Sequence, residues 1–269
     1  MKTLDKIFII IFNLCILFTS IITPALIIAS SKEYYRDQFE KNKIYSHVDD
    51  NGIKKSKVIP FIGGDGSVKA VFSDDQLNTI IDHTVDYLFG DKESFALKLD
   101  EVYIMDKGYT DEVEIFGETA VAHMSDVKSL MKTAMISAIA CAAVALILLI
   151  WFVLRARDVG KSVVRFTLIF YASLFGFALL FCAGTLITSG AGTMDAFLYH
   201  LWGNIHHLLF PFQPEKYKNS FFNDTLTYIL NLDLFINAVV IVLCVAVCIL
   251  SLWILGALLL KKHSKKQIN

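Results

Sequence analysis

Between residues 31 and 132 the sequence has no cysteine at all; Cys15, Cys141, Cys182, Cys244 and Cys248 all lie in apolar runs. Disulfides are thereby excluded as staples for that segment, and packing is the default role of the five thiols. Charge is the second scarcity. Residues 7–30, 133–154, 163–188 and 234–260 hold no Lys, Arg, Asp or Glu except Arg165. Each run is near or above the ~20 residues a helix needs to cross the hydrocarbon region of a bilayer. The 55% apolar content is therefore concentrated in four transmembrane helices and not spread through a water-soluble core. Also missing are G-x-S-x-G, a Walker sequence and H-E-x-x-H, which leaves serine acyl-enzyme, nucleotide-binding and zinc-protease chemistry without support.

The charges that are present sort by position. Lys2 and Lys6 precede the first run, Arg155, Arg157 and Lys161 fill the 155–162 connection, and Lys261, Lys262, Lys265 and Lys266 follow the last run. The positive-inside rule then predicts a multi-pass membrane protein with both termini in the cytoplasm. It puts 31–132 and 189–233 outside. The first run is longer than a signal-peptide core of ~7–15 residues and lacks a small-x-small site, so an uncleaved anchor is expected. Residues 31–131 hold 20 acidic and 12 basic residues, a net charge of −8. This argues against nucleic acid as a partner and against docking on anionic lipid through a basic patch.

The predicted organisation is an anchor at 1–30, an external α+β domain at 31–132, two helices at 133–188, an external loop at 189–233, and a last helix with its basic tail at 234–269. The fold class is thus an all-α polytopic membrane protein with a small α+β insert. Within the insert, Ser73-Asp74-Asp75-Gln76 is a capping box for a helix whose apolar face is Leu77, Ile81, Thr84, Val85 and Leu88, with Gly90 ending it. Residues 101–105 and 112–116 read as a hairpin around a turn at 106–111, and 57–72 as a further strand pair. Residues 118–131 read as a helix that feeds the second span without a breaker.

In the second loop, aromatics from Phe197 to Tyr228 suit the lipid headgroup zone and suggest a re-entrant or surface-lying segment. Six of the seven histidines fall outside the membrane, and His123 and His207 are singled out. One imidazole can take a proton from an amine near neutral pH, and a second can polarise a carbonyl or return the proton to an alkoxide. Asp126, one helical turn from His123, is placed to orient it. The plain reading of the same residues is hydrogen-bonding at a membrane rim, and His47 and His83 are assigned to it outright. A metal site at His200, His206 and His207 fits poorly, because adjacent histidines on a helix point to different faces.

Three stretches, TIIDHTVDYLFG (79–90), FGETAVAHMSDVKSL (116–130) and IHHLLFPFQPEKYKNSFFNDTLTYILNLDLF (205–235), together resemble the lipoprotein intramolecular transacylase family of Gram-positive bacteria. H-M-x-D-V-K before the second span is the most specific of the shared elements. The resemblance implies a four-helix enzyme at the outer leaflet. Its substrate would be a diacylglyceryl-modified lipoprotein with a free N-terminal cysteine amine, and membrane lipid its other partner. One acyl chain would pass from the glycerol to the amine, leaving a lyso-lipoprotein, with neither metal nor cofactor required. The family's two essential histidines map to His123 and His207, with His206 in place of His207 if the register shifts by one. Tyr87 and Tyr217 join Asp126 as supporting residues. The competing reading is a non-catalytic membrane protein whose external domain binds a peptide, a partner protein or a metal.

Overall fold

A computed structural model describes residues 3–48, 54–60, 68–189, 225–230 and 232–266, with 197, 200, 201, 203 and 204. Four of its helices are long and apolar enough to span a bilayer: α1 (Thr3–Ala29), α4 (Glu118–Leu154), α5 (Ala156–Ser189) and, last in the chain, α7 (Leu232–Lys266). The four-span reading of the sequence therefore holds. The chain divides into two compact units, one built from residues within 1–24, 136–212 and 241–269, the other from residues within 25–135 and 213–240.

In the first unit, Ile9, Phe12, Ala145, Leu148, Phe152, Val163, Val164 and Ala257 are buried together. Phe12 packs edge-on to Phe152 at 5.4 Å between ring centres and tilts against Trp253 at 4.4 Å. A polar tie accompanies these rings. Trp253 Nε1 donates to Asn13 Oδ1 at 3.2 Å, while Asn13 Nδ2 donates to the Ile9 carbonyl one turn back at 2.8 Å. Arg155 stacks over Trp151 and approaches the buried Asp5 at 3.8 Å.

The second unit contains the domain between the first two spans. It opens with α2 (Lys32–Lys41), a helix the sequence reading passed over, started by Ser31, whose hydroxyl accepts from Tyr34 N. Glu33 in its first turn and Lys41 in its last complement the helix dipole. Then come β1 (His47–Val48), β2 (Lys54–Lys55), β3 (Val58–Pro60), β4 (Lys69–Val71), α3 (Asp74–Phe89), β5 (Lys98–Leu99), β6 (Val102–Ile104), β7 (Gly108–Thr110) and β8 (Val113–Glu114). The α3 capping box is present as expected: Ser73 and Gln76 exchange side-chain-to-backbone hydrogen bonds of 3.1 and 2.9 Å. Every residue assigned to its apolar face is buried.

Among the described residues, the strands form a four-stranded antiparallel sheet in the order β3-β4-β6-β7 and two short pairs, β1-β2 and β5-β8. The strand pair expected in 57–72 is β3-β4. The expected 101–105 with 112–116 hairpin is corrected. Lys107 N bonds the Ile104 carbonyl at 3.1 Å and Gly108 follows at φ +79°, so a tight turn plus a left-handed glycine closes the hairpin early. The strand partner of β6 is therefore Gly108–Thr110, and Val113–Glu114 pairs instead with Lys98–Leu99.

Phe39, Ile59, Leu77, Phe95, Val102, Ile115 and Ala120 lie at the centre of this domain, joined by Leu226 and Ile229 of α6 (Thr225–Ile229) and Leu234 of α7. Burying one such Leu, Ile or Phe side chain contributes roughly 1.5–3 kcal/mol. The apolar core thus fixes the start of α4, through Phe116, Ala120 and Met124, to the same frame as α3. The re-entrant or surface-lying segment expected in 189–233 lies mostly outside the described residues, as do His206, His207 and Tyr217.

Candidate active site

The H-M-x-D-V-K stretch falls in the second and third turns of α4, which starts right after Phe116 and Gly117, where Val121 N bonds the Gly117 carbonyl at 3.0 Å. Glu118 in the first turn suits the positive end of the helix dipole. As expected, no breaker separates this part from the span. At 37 residues α4 is about 55 Å long, against about 30 Å of hydrocarbon, so part of it must extend beyond the apolar region. His123 sits ten residues ahead of the apolar stretch that begins at Thr133, on the extending part.

Helical periodicity sorts this turn into two faces. Ala120, His123 and Met124 are buried, with Val127 half-buried, whereas Ser125 and Asp126 are exposed. The His123 imidazole is thus held on the packed face at 9% exposure. Asp126, expected to orient it, is one turn on but on the solvent side. Tyr87, the supporting residue on α3, is buried, its ring 5.3 Å from that of Phe95.

His83, assigned a packing role, is buried and doubly hydrogen-bonded. Nε2 lies 3.0 Å from the Phe95 carbonyl and Nδ1 lies 3.0 Å from Lys92 Nζ. A carbonyl only accepts and an ammonium only donates, so the pair of partners fixes the neutral tautomer with its proton on Nε2. Burial, aided by the Lys92 charge, holds the His83 pKa below the usual histidine range. The sequence reading missed Lys92, and it passed over the lysine of H-M-x-D-V-K itself. Lys128 donates to the Lys92 carbonyl at 2.6 Å, and its ammonium sits 4.5 Å from the centre of the Tyr87 ring. A local signal for this was available, since a lysine five residues past His123 cannot share its face of the helix and needs another partner.

A cavity of about 880 Å³ opens in the same unit, lined by Phe72, Ser73, Gln76, Asp100, Tyr103 and Tyr109 among others. His123 is not among the described residues that line it. His200 is exposed, and no His, Cys, Asp and Glu grouping suited to a metal occurs among the described residues.

A family model described as lipoprotein intramolecular transacylase Lit matches residues 7–211. Among solved structures, the membrane integral lipoprotein intramolecular transacylase Lit from Bacillus cereus superimposes with a TM-score of 0.54 at 14% identity, covering 100% of both chains. A histidine-to-alanine mutant of that protein superimposes with a TM-score of 0.50 at 15% identity, covering 99% of this chain and 96% of the other. At such identities the likeness shows the fold. No curated protein sequence matches the chain.

Proposed function

Because this chain belongs to the lipoprotein intramolecular transacylase Lit family, we propose that it moves an acyl chain within a diacylglyceryl-modified lipoprotein, from the glycerol to the α-amine of the N-terminal cysteine. The observation that carries this reading is the family match over 7–211, a range that includes both His123 and His207. The reaction exchanges an ester for an amide. The amine nitrogen attacks the ester carbonyl, the C–O bond to glycerol breaks, and the product is an N-acylated lyso-lipoprotein with one new glycerol hydroxyl.

A free α-amine has a pKa of about 7.7–8.0, so a neutral imidazole close to it can accept its proton as the C–N bond forms. His123 is assigned that role, and a histidine of the second loop, His207 or its neighbour His206, returns a proton to the departing alkoxide. Donor and acceptor lie on one molecule, so holding both in one site supplies most of the advantage through proximity. The buried setting of His123 on an extending part of a spanning helix supports this reading, since ester groups of a membrane-anchored substrate lie just outside the hydrocarbon. The domain of residues 31–132 is assigned to the outer face on the distribution of Lys and Arg.

The test is gain of function. Expressed in a bacterium that lacks the activity, the chain is expected to convert a reporter lipoprotein to the N-acyl lyso form, read by mass spectrometry of its N-terminal peptide. His123→Ala and His207→Ala are each expected to abolish conversion while the protein still inserts. Activity retained by His207→Ala and lost by His206→Ala moves the second role by one residue. Retention in His123→Ala removes the role assigned to that histidine, and an unchanged reporter with the parent sinks the reading in favour of a non-catalytic binding protein.

A further inference from the structure

His83, Lys92 and Lys128 are linked in series across three separate elements. His83 is on α3, Lys92 is in the connection that follows it, and Lys128 is on α4 five residues beyond His123. The links are 3.0 Å from His83 Nδ1 to Lys92 Nζ and 2.6 Å from Lys128 Nζ to the Lys92 carbonyl. Two rings reinforce the arrangement. Phe95, whose carbonyl accepts a hydrogen bond from His83 Nε2, stacks on Phe116 at 4.3 Å just ahead of α4, and Tyr87 of α3 lies under the Lys128 ammonium. In the connection at 90–97, residues 91–94 are exposed; its other anchors are the buried Phe95 and the half-buried Leu97, whose carbonyl accepts from Ile115 N at 2.9 Å.

We propose that His83, Lys92 and Lys128 form a positioning relay that holds the extending part of α4, and with it His123, against α3, and that protonation of His83 releases it. The lysine ammonium has no lone pair, so its contact at 3.0 Å requires Nδ1 to be an acceptor. A proton arriving at Nδ1 removes that acceptor and leaves two cations in contact, the imidazolium buried and the ammonium on an exposed residue. Nε2 keeps its bond to the Phe95 carbonyl in either state, so Lys92 is the partner that leaves, and its carbonyl moves away from Lys128.

The other charged groups nearby do not reverse this. Asp86, one turn along α3, favours the proton on His83 but is already held by Lys32 of α2 at 2.8 Å. Asp91 and Glu93 flank Lys92 in the exposed connection, and Lys128 adds positive charge from α4. With the folded pKa below its unfolded value, the stabilising contribution of His83 is complete above about pH 6.5 and is lost as pH falls through the folded pKa.

The effect on rate rests on the transacylase reading; the release itself does not. His83→Gln separates the two, because its amide oxygen can accept from Lys92 and its amide nitrogen can donate to Phe95 without titrating. For the purified full chain in detergent, hydrogen exchange at 91–97, corrected for intrinsic rates, is expected to lose protection on acidification in the parent and to stay constant in His83→Gln. In the transfer assay, a catalytic base alone makes the rate fall about tenfold per pH unit below its pKa, and a second protonation steepens the limb towards a hundredfold. The parent is expected to show the steeper limb and His83→Gln the shallower one. At pH 7.5, Lys128→Met is expected to lower kcat about tenfold with little change in KM, and Lys128→Arg, which can still donate and stack, to restore most of it. Equal exchange profiles in parent and His83→Gln overturn the relay whether or not the chain turns over. So does full activity in Lys128→Met. A pH-dependent release that follows His83 in a protein with no transfer activity keeps the release and overturns the transacylase reading instead.

Discussion

Asn237 donates its side-chain amide to Gln38 Oε1 at 2.7 Å, a bond that joins α2 to the start of α7 across 199 residues of sequence. Gln38 is 3% exposed, so the bond satisfies a polar group that water does not reach. Tyr34, one turn earlier on α2, adds a second tie by donating its hydroxyl to the Leu234 carbonyl at 2.6 Å. Together with Phe39 in the core, these residues hold the first turns of α7 against α2 within the second unit.

The cost of removing these groups is expected to be asymmetric. Tyr34→Phe deletes one hydrogen bond to a helix carbonyl and is expected to lower stability by about 0.5–1.5 kcal/mol. Asn237→Leu leaves a buried glutamine oxygen without its donor, at a cost of roughly 1–3 kcal/mol. The double variant Gln38→Leu/Asn237→Leu removes both partners and is expected to recover part of that loss. Thermal unfolding in detergent measures all three, and a double variant no better than Asn237→Leu alone would show that the bond itself matters little.

The outer placement proposed for the interspan domain is open to cysteine labelling, and the structure guides the choice of position. A Cβ added at Gly90 would lie 2.6 Å from the Asp86 carbonyl oxygen, so a cysteine there would disturb the end of α3. Lys107→Cys is better placed, since Lys107 is exposed in the β6-β7 turn. In intact cells an impermeant maleimide is expected to label Lys107→Cys without permeabilisation. Labelling only after lysis would invert the topology.

How far the sequence disclosed this architecture depended on the range of the interactions involved. The capping box of α3 was legible because Ser73 and Gln76 act within one turn, and the spans because their signal is summed over more than 20 residues. Helix α2 escaped because its buried face is Tyr35, Gln38 and Phe39, a stripe broken by a glutamine whose partner is Asn237. The hairpin was misread because Gly108, taken as part of the turn, is the first residue of the returning strand. At the candidate site, the motif containing His123 was legible as a helix entering a span. The relay was not, because the partner that Lys128 chooses is a backbone carbonyl 36 residues away, which no side-chain pattern marks.

Inside the first unit, Asn13→Leu is expected to be mild although it removes a polar side chain buried among apolar helices. It removes the acceptor of Trp253 Nε1, but interhelical hydrogen bonds in membranes contribute only about 0.6 kcal/mol on average, because the alternatives also find partners. A drop in unfolding midpoint well beyond that of Tyr34→Phe would mean that the Trp253–Asn13 pair fixes helix packing more strongly than its hydrogen bond explains.

The role proposed for Asp126 faces a sharper test now that its surroundings are defined. It is one turn from His123, yet exposed where His123 is buried, so a carboxylate effect on the imidazole must act along the helix surface and be weakened by water. A positioned acid–base group typically contributes about 10²–10⁴-fold, and an orienting partner acts only through it. Asp126→Asn is therefore expected to slow transfer by no more than about tenfold, far less than His123→Ala, and to add little when combined with it. The measurement is the rate of lyso-lipoprotein formation per quantified membrane-inserted protein. An unchanged rate, or a fall in rate that tracks protein level, assigns Asp126 to solvation of the helix surface and removes it from the mechanism.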